Sequence, residues 1–288
     1  MLDQRSLIGV FLMLLVAGMG AFDAVLVRLL SGNVHPVMIA FTRGLFGALA
    51  MLPWMLSRPG IMKTNRHWLH ALRATLKLGS LVALFAALAS APLATVTAIG
   101  FAAPLFVTVG AWIFFREAPR GTRVAGALLG FFGILVLLRP TGTEMNVALI
   151  YALISALLVG TIQLMLKHMG KTENADTLVA WNLILTVPIA LIPALYFWVT
   201  PTATEWMLLG LQGVLGAFNQ FMATKAFQYA DASLVAPIDF VRLPFVAAAA
   251  YFFFGEVADR ATWIGASLIF IAVLLIAASS RARPVVQP

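Results

Sequence analysis

Five ionisable side chains lie deep inside otherwise apolar runs: Asp23, Arg43, Lys77, Asp239 and Arg242. A charge placed there is costly unless it meets a partner, water or a ligand. Asp23 falls late in the first run and Arg43 early in the second, so both reach the same level and suit an ion pair with a structural or gating role. Asp239 and Arg242 stand three residues apart and share one helix face. Three cations then meet two anions, which leaves one positive charge over. A ligand carboxylate, or water in an open cavity, would relieve it. Lys77 and Arg242 are the candidates to receive that carboxylate. The bland alternative is that Asp239 and Arg242 only hold their own helix.

Uncharged polar groups accompany these charges. Ser80 lies one turn beyond Lys77, Gln163 and Trp181 stand in later runs, and Asn219 and Gln220 are adjacent. Amides and hydroxyls can hold an amino group or orient a zwitterion. The same groups also serve ordinary hydrogen bonds between helices. Lys77, Ser80, Gln163, Trp181, Asn219, Gln220, Asp239 and Arg242 are the expected binding set. Arg73 is expected to snorkel towards a membrane surface.

The elements that must position these residues are membrane spans. The chain has 288 residues, 62% apolar and 10% charged, with mean hydropathy +0.98. Such a composition does not suit a water-soluble domain. The apolar runs are about twenty residues long, enough to cross a hydrocarbon core of about 30 Å. Ten spans are expected, near 7–30, 35–57, 68–90, 92–115, 122–138, 146–168, 176–198, 204–228, 232–254 and 261–279. Most of the tryptophans fall near span ends, where interfacial anchors belong. Pro104, Pro237 and Pro244 are expected to bend their helices, the latter two around Asp239 and Arg242.

Charge orients the spans. Twelve loop or end cations fall on the side of the termini and three (Arg28, Arg139 and Arg260) on the other. Both termini are therefore expected in the cytoplasm. The formal charge of +8 is explained by these loops and needs no nucleic acid.

The halves repeat. At a shift of 139, Phe101 matches Phe240, Phe114 matches Phe253, Glu117 matches Glu256 and Gly126 matches Gly265. At 140, Gly20 matches Gly160, Pro53 matches Pro193, and Gln163 takes the place of Asp23. Trp68 and Trp206 open corresponding helices. Five spans is an odd number, so the second copy enters the membrane from the opposite side. The expected fold is thus an all-α membrane protein of ten helices in a 5+5 inverted repeat, one transmembrane domain over 1–288. The copies cover 1–140 and 145–280, with a cytoplasmic tail at 281–288. Gly126-Ala127-Leu128-Leu129-Gly130 is expected to pack helices within the fold.

Certain chemistries find no support. There is no cysteine and no phosphate-binding glycine motif. His35, His67, His70 and His168 lack an acidic cluster to complete a metal site. Neither cofactor nor metal is expected.

Ala91-Pro92-Leu93-Ala94 running on to Pro104-Leu105, then a Phe-rich stretch ending in Arg116-Glu117, recurs as Tyr229-Ala230-Asp231-Ala232-Ser233, Pro244-Phe245 and Gly255-Glu256. With its five-plus-five layout the chain resembles the EamA-type proteins of the drug/metabolite transporter superfamily. Within them, overall similarity points to the YddG-type amino-acid exporters. The resemblance implies a secondary transporter of the cytoplasmic membrane of a bacterium. Its partners would be a small-molecule substrate and the lipid bilayer, and ten helices suffice for a monomer. Export of amino acids, aromatic or other apolar ones included, is the expected function. The alternatives are a membrane-embedded enzyme acting on a lipid-linked substrate, and a non-transporting subunit or channel.

Overall fold

A computed structural model describes residues 4–58, 60–115, 121–138, 146–230 and 236–280. Arg116, Glu117, Asp231, Ala232, Ser233 and the tail 281–288 lie outside these residues. The described chain is helical throughout. Its elements are α1 Gln4–Leu30, α2 Pro36–Leu56, α3 His67–Ser90, α4 Leu93–Gly100, α5 Ala103–Phe115 and α6 Gly121–Leu138. There follow α7 Val147–Met169, α8 Ala175–Tyr196, α9 Ala203–Tyr229, a 3-10 helix Ala236–Val241, α10 Arg242–Phe254 and α11 Arg260–Ser280.

Nine described segments are long and apolar enough to cross a membrane, with α4 and α5 counted as one. The remaining long helix, α9, has 27 residues but carries Gln212, Asn219, Gln220, Lys225 and Gln228 along its length. A capping box starts it: Thr202 Oγ1 accepts from the Glu205 N–H, and Glu205 Oε2 accepts from the Thr202 N–H at 2.7 Å.

Two expected spans are broken. The fourth, 92–115, is two helices, because Pro104 has no N–H to offer the Gly100 carbonyl. The chain tightens there into shorter-range bonds, Ala102 N–H to Ile99 O and Leu105 N–H to Ala102 O, both 2.9 Å. The ninth, expected over 232–254, begins as the 3-10 helix and turns α-helical at Arg242. Pro237 and Pro244 stand in the opening turns of their segments, where the missing donor would be unused anyway. Prolines therefore start elements here rather than bend them. Pro188, by contrast, lies inside an unbroken α8.

Packing follows the repeat. α1 lies along α9 as α7 lies along α3, and α1 meets α10 as α7 meets α5. α2 with α8, and α6 with α11, each pair a helix with its own counterpart. The hydrogen bonds repeat too. Asn219 Nδ2 donates to Val16 O at 2.8 Å between α9 and α1, and Ser155 Oγ donates to Ser80 O at 2.9 Å between α7 and α3. Ser80 and Asn219 are related by 139, as are Val16 and Ser155. Phe101 stacks on its own counterpart Phe240, centroids 4.3 Å apart, where the two broken spans meet.

Small residues permit the closest approaches. A Cβ on Gly133 would lie 2.9 Å from Gly265 O, so α6 and α11 touch backbone to backbone. A Cβ on Gly126 would lie 3.1 Å from Ala272 O on α11 and one on Gly130 2.4 Å from Leu105 Cδ1 on α5, so the Gly126–Gly130 motif packs within the fold.

Candidate functional site

Two ion pairs of deep charges border the second half of α1. Asp23 Oδ1 accepts from Arg43 Nη1 at 2.5 Å. These side chains are 17% and 20% exposed, so the pair is largely desolvated. The Arg43 guanidinium lies 5.8 Å from the Phe85 ring centre and against α9 at Gly216, where a Cβ would come within 2.6 Å of it. Only glycine leaves room for the pair at that height.

Arg242 donates to Asp239 through Nη2, one turn back along the chain. Its stem rests on α1 at Gly20, where a Cβ would lie 2.9 Å from Nε. Gly20 and Asp23 are three apart on one helix, hence neighbours on its surface. The two ion pairs thus meet on one stretch of α1.

Lys77 lies near the first of these pairs. Its ammonium interacts electrostatically with Asp23, Arg43 and Arg73. It is half-buried and has no hydrogen-bond or ion-pair partner among the described residues. One neutralised pair and a neighbouring ammonium leave a positive charge over at Asp23, Arg43 and Lys77. Among the described residues this group shows no nucleophile held by a base.

Other expected binders stand elsewhere. Ser80 is buried and engaged with Ser155, Oγ to Oγ 3.3 Å, between α3 and α7. Asn219 spends its amide N–H on Val16 O. Trp181 donates to Met62 O at 3.3 Å and packs on His67 and His70, so it braces the α2–α3 link at one end of the bundle. Gln163 and Gln220 are exposed. For Ser80, Asn219 and Trp181 these partners are structural bonds between elements. A separate recess of 220 Å³ lies among Leu69, Phe114, Leu164, Met165 and Met169; no deep charge lines it.

Three features escaped the sequence reading. Arg73 does not snorkel: it is 3% exposed and donates to Leu178 O on α8, because α8 covers this face of α3. Gln212 is wholly buried, and neither of its amide atoms has a hydrogen-bond partner. Arg73 and Gln212 are repeat counterparts at 139, so carrying the shift through the third helix would have paired them. Arg28 was counted as a loop charge, yet it is ion-paired with Glu256, Nη1 to Oε1 3.1 Å.

Known proteins share this chain's sequence and fold. The EamA-like transporter family matches residues 7–139 and again 146–278. An S-adenosylmethionine uptake transporter of Rickettsia prowazekii is 30% identical over 94% of this chain and 92% of its own. A riboflavin transporter of Rhizobium johnstonii is 34% identical over 85% and 82%. A crystal structure of a protein only 18% identical superposes with a TM-score of 0.65 over 97% of this chain and 99% of the other, so the fold is shared. The double family match, on a chain of apolar helices, makes this a multi-pass membrane protein and a small-metabolite transporter, not an enzyme: it belongs to the EamA-like transporter family.

Proposed function

We propose that the protein exports small carboxylate-bearing metabolites across the cytoplasmic membrane of a bacterium, amino acids with aromatic or other apolar side chains among them. The observation that carries this reading is the Lys77 ammonium, without a hydrogen-bond or ion-pair partner among the described residues, near the Asp23–Arg43 ion pair. A carboxylate arriving there gains a charge-assisted hydrogen bond and removes an uncompensated charge. S-adenosylmethionine, named for one relative, carries an α-amino-carboxylate of this kind. Asp239 offers a position for the amino group, and Arg242 a second cation.

The reading includes alternating access by a 5+5 inverted repeat. Broken helices at matching places in the two halves support it, as does the pairwise packing. The copies are taken as 1–140 and 145–280, with both termini and the tail 281–288 in the cytoplasm, on the twelve-to-three charge bias. The working unit is a monomer.

Counterflow in proteoliposomes tests the proposal. The panel holds labelled amino acids, S-adenosylmethionine and riboflavin, with and without a pH gradient. Saturable counterflow of the carboxylate-bearing members, weakened in Lys77→Gln, is expected. Flux that never saturates would point to a channel, and a silent panel from folded protein would overturn the substrate class.

A further inference from the structure

Glu256 is where three distant parts of the chain meet. Gly255 ends α10 in the left-handed conformation, φ 67°, with its N–H on Tyr251 O at 3.0 Å. The Glu256 N–H returns to Ala250 O at 3.1 Å. These reversed bonds turn the chain sharply at the helix end. The carboxylate that follows reaches two elements at once. Oε1 is 3.1 Å from Arg28 Nη1 at the end of α1, and Oε2 accepts the Leu93 N–H at 2.9 Å in the first turn of α4. Arg28 also donates through Nη2 to Ala91 O, in the α3–α4 link, and lies 5.8 Å from the Phe254 ring centre.

One ion pair therefore ties α1, the α3–α4 link and α10 together, joining first half to second. It is only about a fifth exposed, at 20% and 22%. From Leu93, α4 runs inward to Phe101, which stacks on Phe240, a drop of about 12 Å at 1.5 Å per residue. A substrate entering between α1, α4 and α10 would have to pass this bond.

We propose that Arg28 and Glu256 form the latch that holds one mouth of the transporter shut, and that it must open once in each cycle. The proposal rests on the transport reading above. The cation of the device is not repeated in the sequence. At the repeat position of Arg28 stands His168, at a shift of 140. His168 is exposed, with Nε2 3.5 Å from Arg66 Nη1.

The absence of cysteine makes the test clean. Gly32→Cys and Val257→Cys place spin labels on exposed positions beside the latch; a Cβ on Gly32 meets nothing within 4 Å, and Val257 is 76% exposed. Electron–electron distance distributions are then recorded on substrate-free protein. Glu256→Gln keeps an oxygen for the Leu93 N–H and loses only the charge; Arg28→Gln loses it from the other side. Each is expected to raise the long-distance population about fivefold, the worth of one modest ion pair. Arg28→Lys should stay near the wild type. Ionic strength of about 1 M should move the wild type the same way, since it shortens the screening length to ~3 Å. Unchanged distributions in both Gln variants and in high salt would overturn the latch. A silent substrate panel would instead overturn the proposed substrate class, and the two failures are distinguishable because these distances are read without any substrate.

Discussion

Replacing Lys77 by Met should stabilise the protein while damaging transport. Lys77 is half-buried, with two cations and one anion acting on its ammonium. For charges about 8 Å apart at an effective dielectric of about 20, each interaction is ~2 kcal/mol, and two repulsions against one attraction leave ~2 kcal/mol unfavourable. Partial exposure and screening reduce this to about 1 kcal/mol. Met keeps the length and the apolar contacts of the stem, so the variant should melt about 2–4 °C higher. Its effect on transport has the opposite sign. Losing a charged hydrogen-bond donor to a substrate carboxylate costs about 2 kcal/mol, roughly a 30-fold rise in half-saturation.

Thermal unfolding in detergent and concentration-dependent counterflow, run on the same preparations of wild type, Lys77→Met and Lys77→Arg, measure the two quantities. Arg should recover most of the transport. A raised melting point with unchanged half-saturation would take Lys77 off the substrate path. A fall in both would refute the charge argument, because it would mean that the ammonium has a structural partner.

Asp23→Asn should behave in the contrary way: it strips Arg43 of its anion and should cost about 2 kcal/mol of stability. Adding Arg43→Gln should restore part of it, which a double-mutant cycle on melting would reveal. Gly133→Val forces α6 from α11, where even a Cβ would sit 2.9 Å from Gly265 O; a loss of about 1–3 kcal/mol is expected by denaturation. His35 lies in the α1–α2 link and stacks on Phe197 at 4.0 Å; burial lowers its pKa below 6.5. The folded state then binds fewer protons than the unfolded one, so this contribution is intact above pH 6.5 and is lost as pH falls through the lowered folded pKa. His35→Asn keeps a cap for Val37 and should flatten the acid limb of stability against pH.

Much of the architecture was legible because membrane spans announce themselves by length and apolarity. The places that were misread share one cause. Spans four and nine looked continuous because hydropathy does not register which carbonyl a proline leaves unbonded; Pro104 decides that locally. Arg73 and Arg28 were assigned to surfaces by their distance from a helix end. Burial, however, depends on the neighbouring helix, and α8 covers Arg73 while Glu256 arrives from 228 residues away to meet Arg28. The pairs Asp23–Arg43 and Asp239–Arg242 were legible because sequence nearness fixes both: a short link in one case, one helical turn in the other.

The repeat explains why the two halves can share a frame without sharing a site. Backbone approach is duplicated: Gly20 admits Arg242 against α1 where Gly160 admits Phe106 against α7, a Cβ there lying 2.8 Å from Phe106 Cβ. Three of the charges are not duplicated: Asp23 is answered by Gln163, Arg28 by His168 and Lys77 by Gly216, taking 139 or 140 as the shift. On the proposed reading, a symmetric frame would give two conformations of similar packing energy, and the asymmetric charges would set their relative populations and put the proposed anion site against α1 rather than α7. Mutations in the shared glycines should therefore alter both states alike and show as stability. Mutations in the unshared charges should alter the balance between states and show as transport.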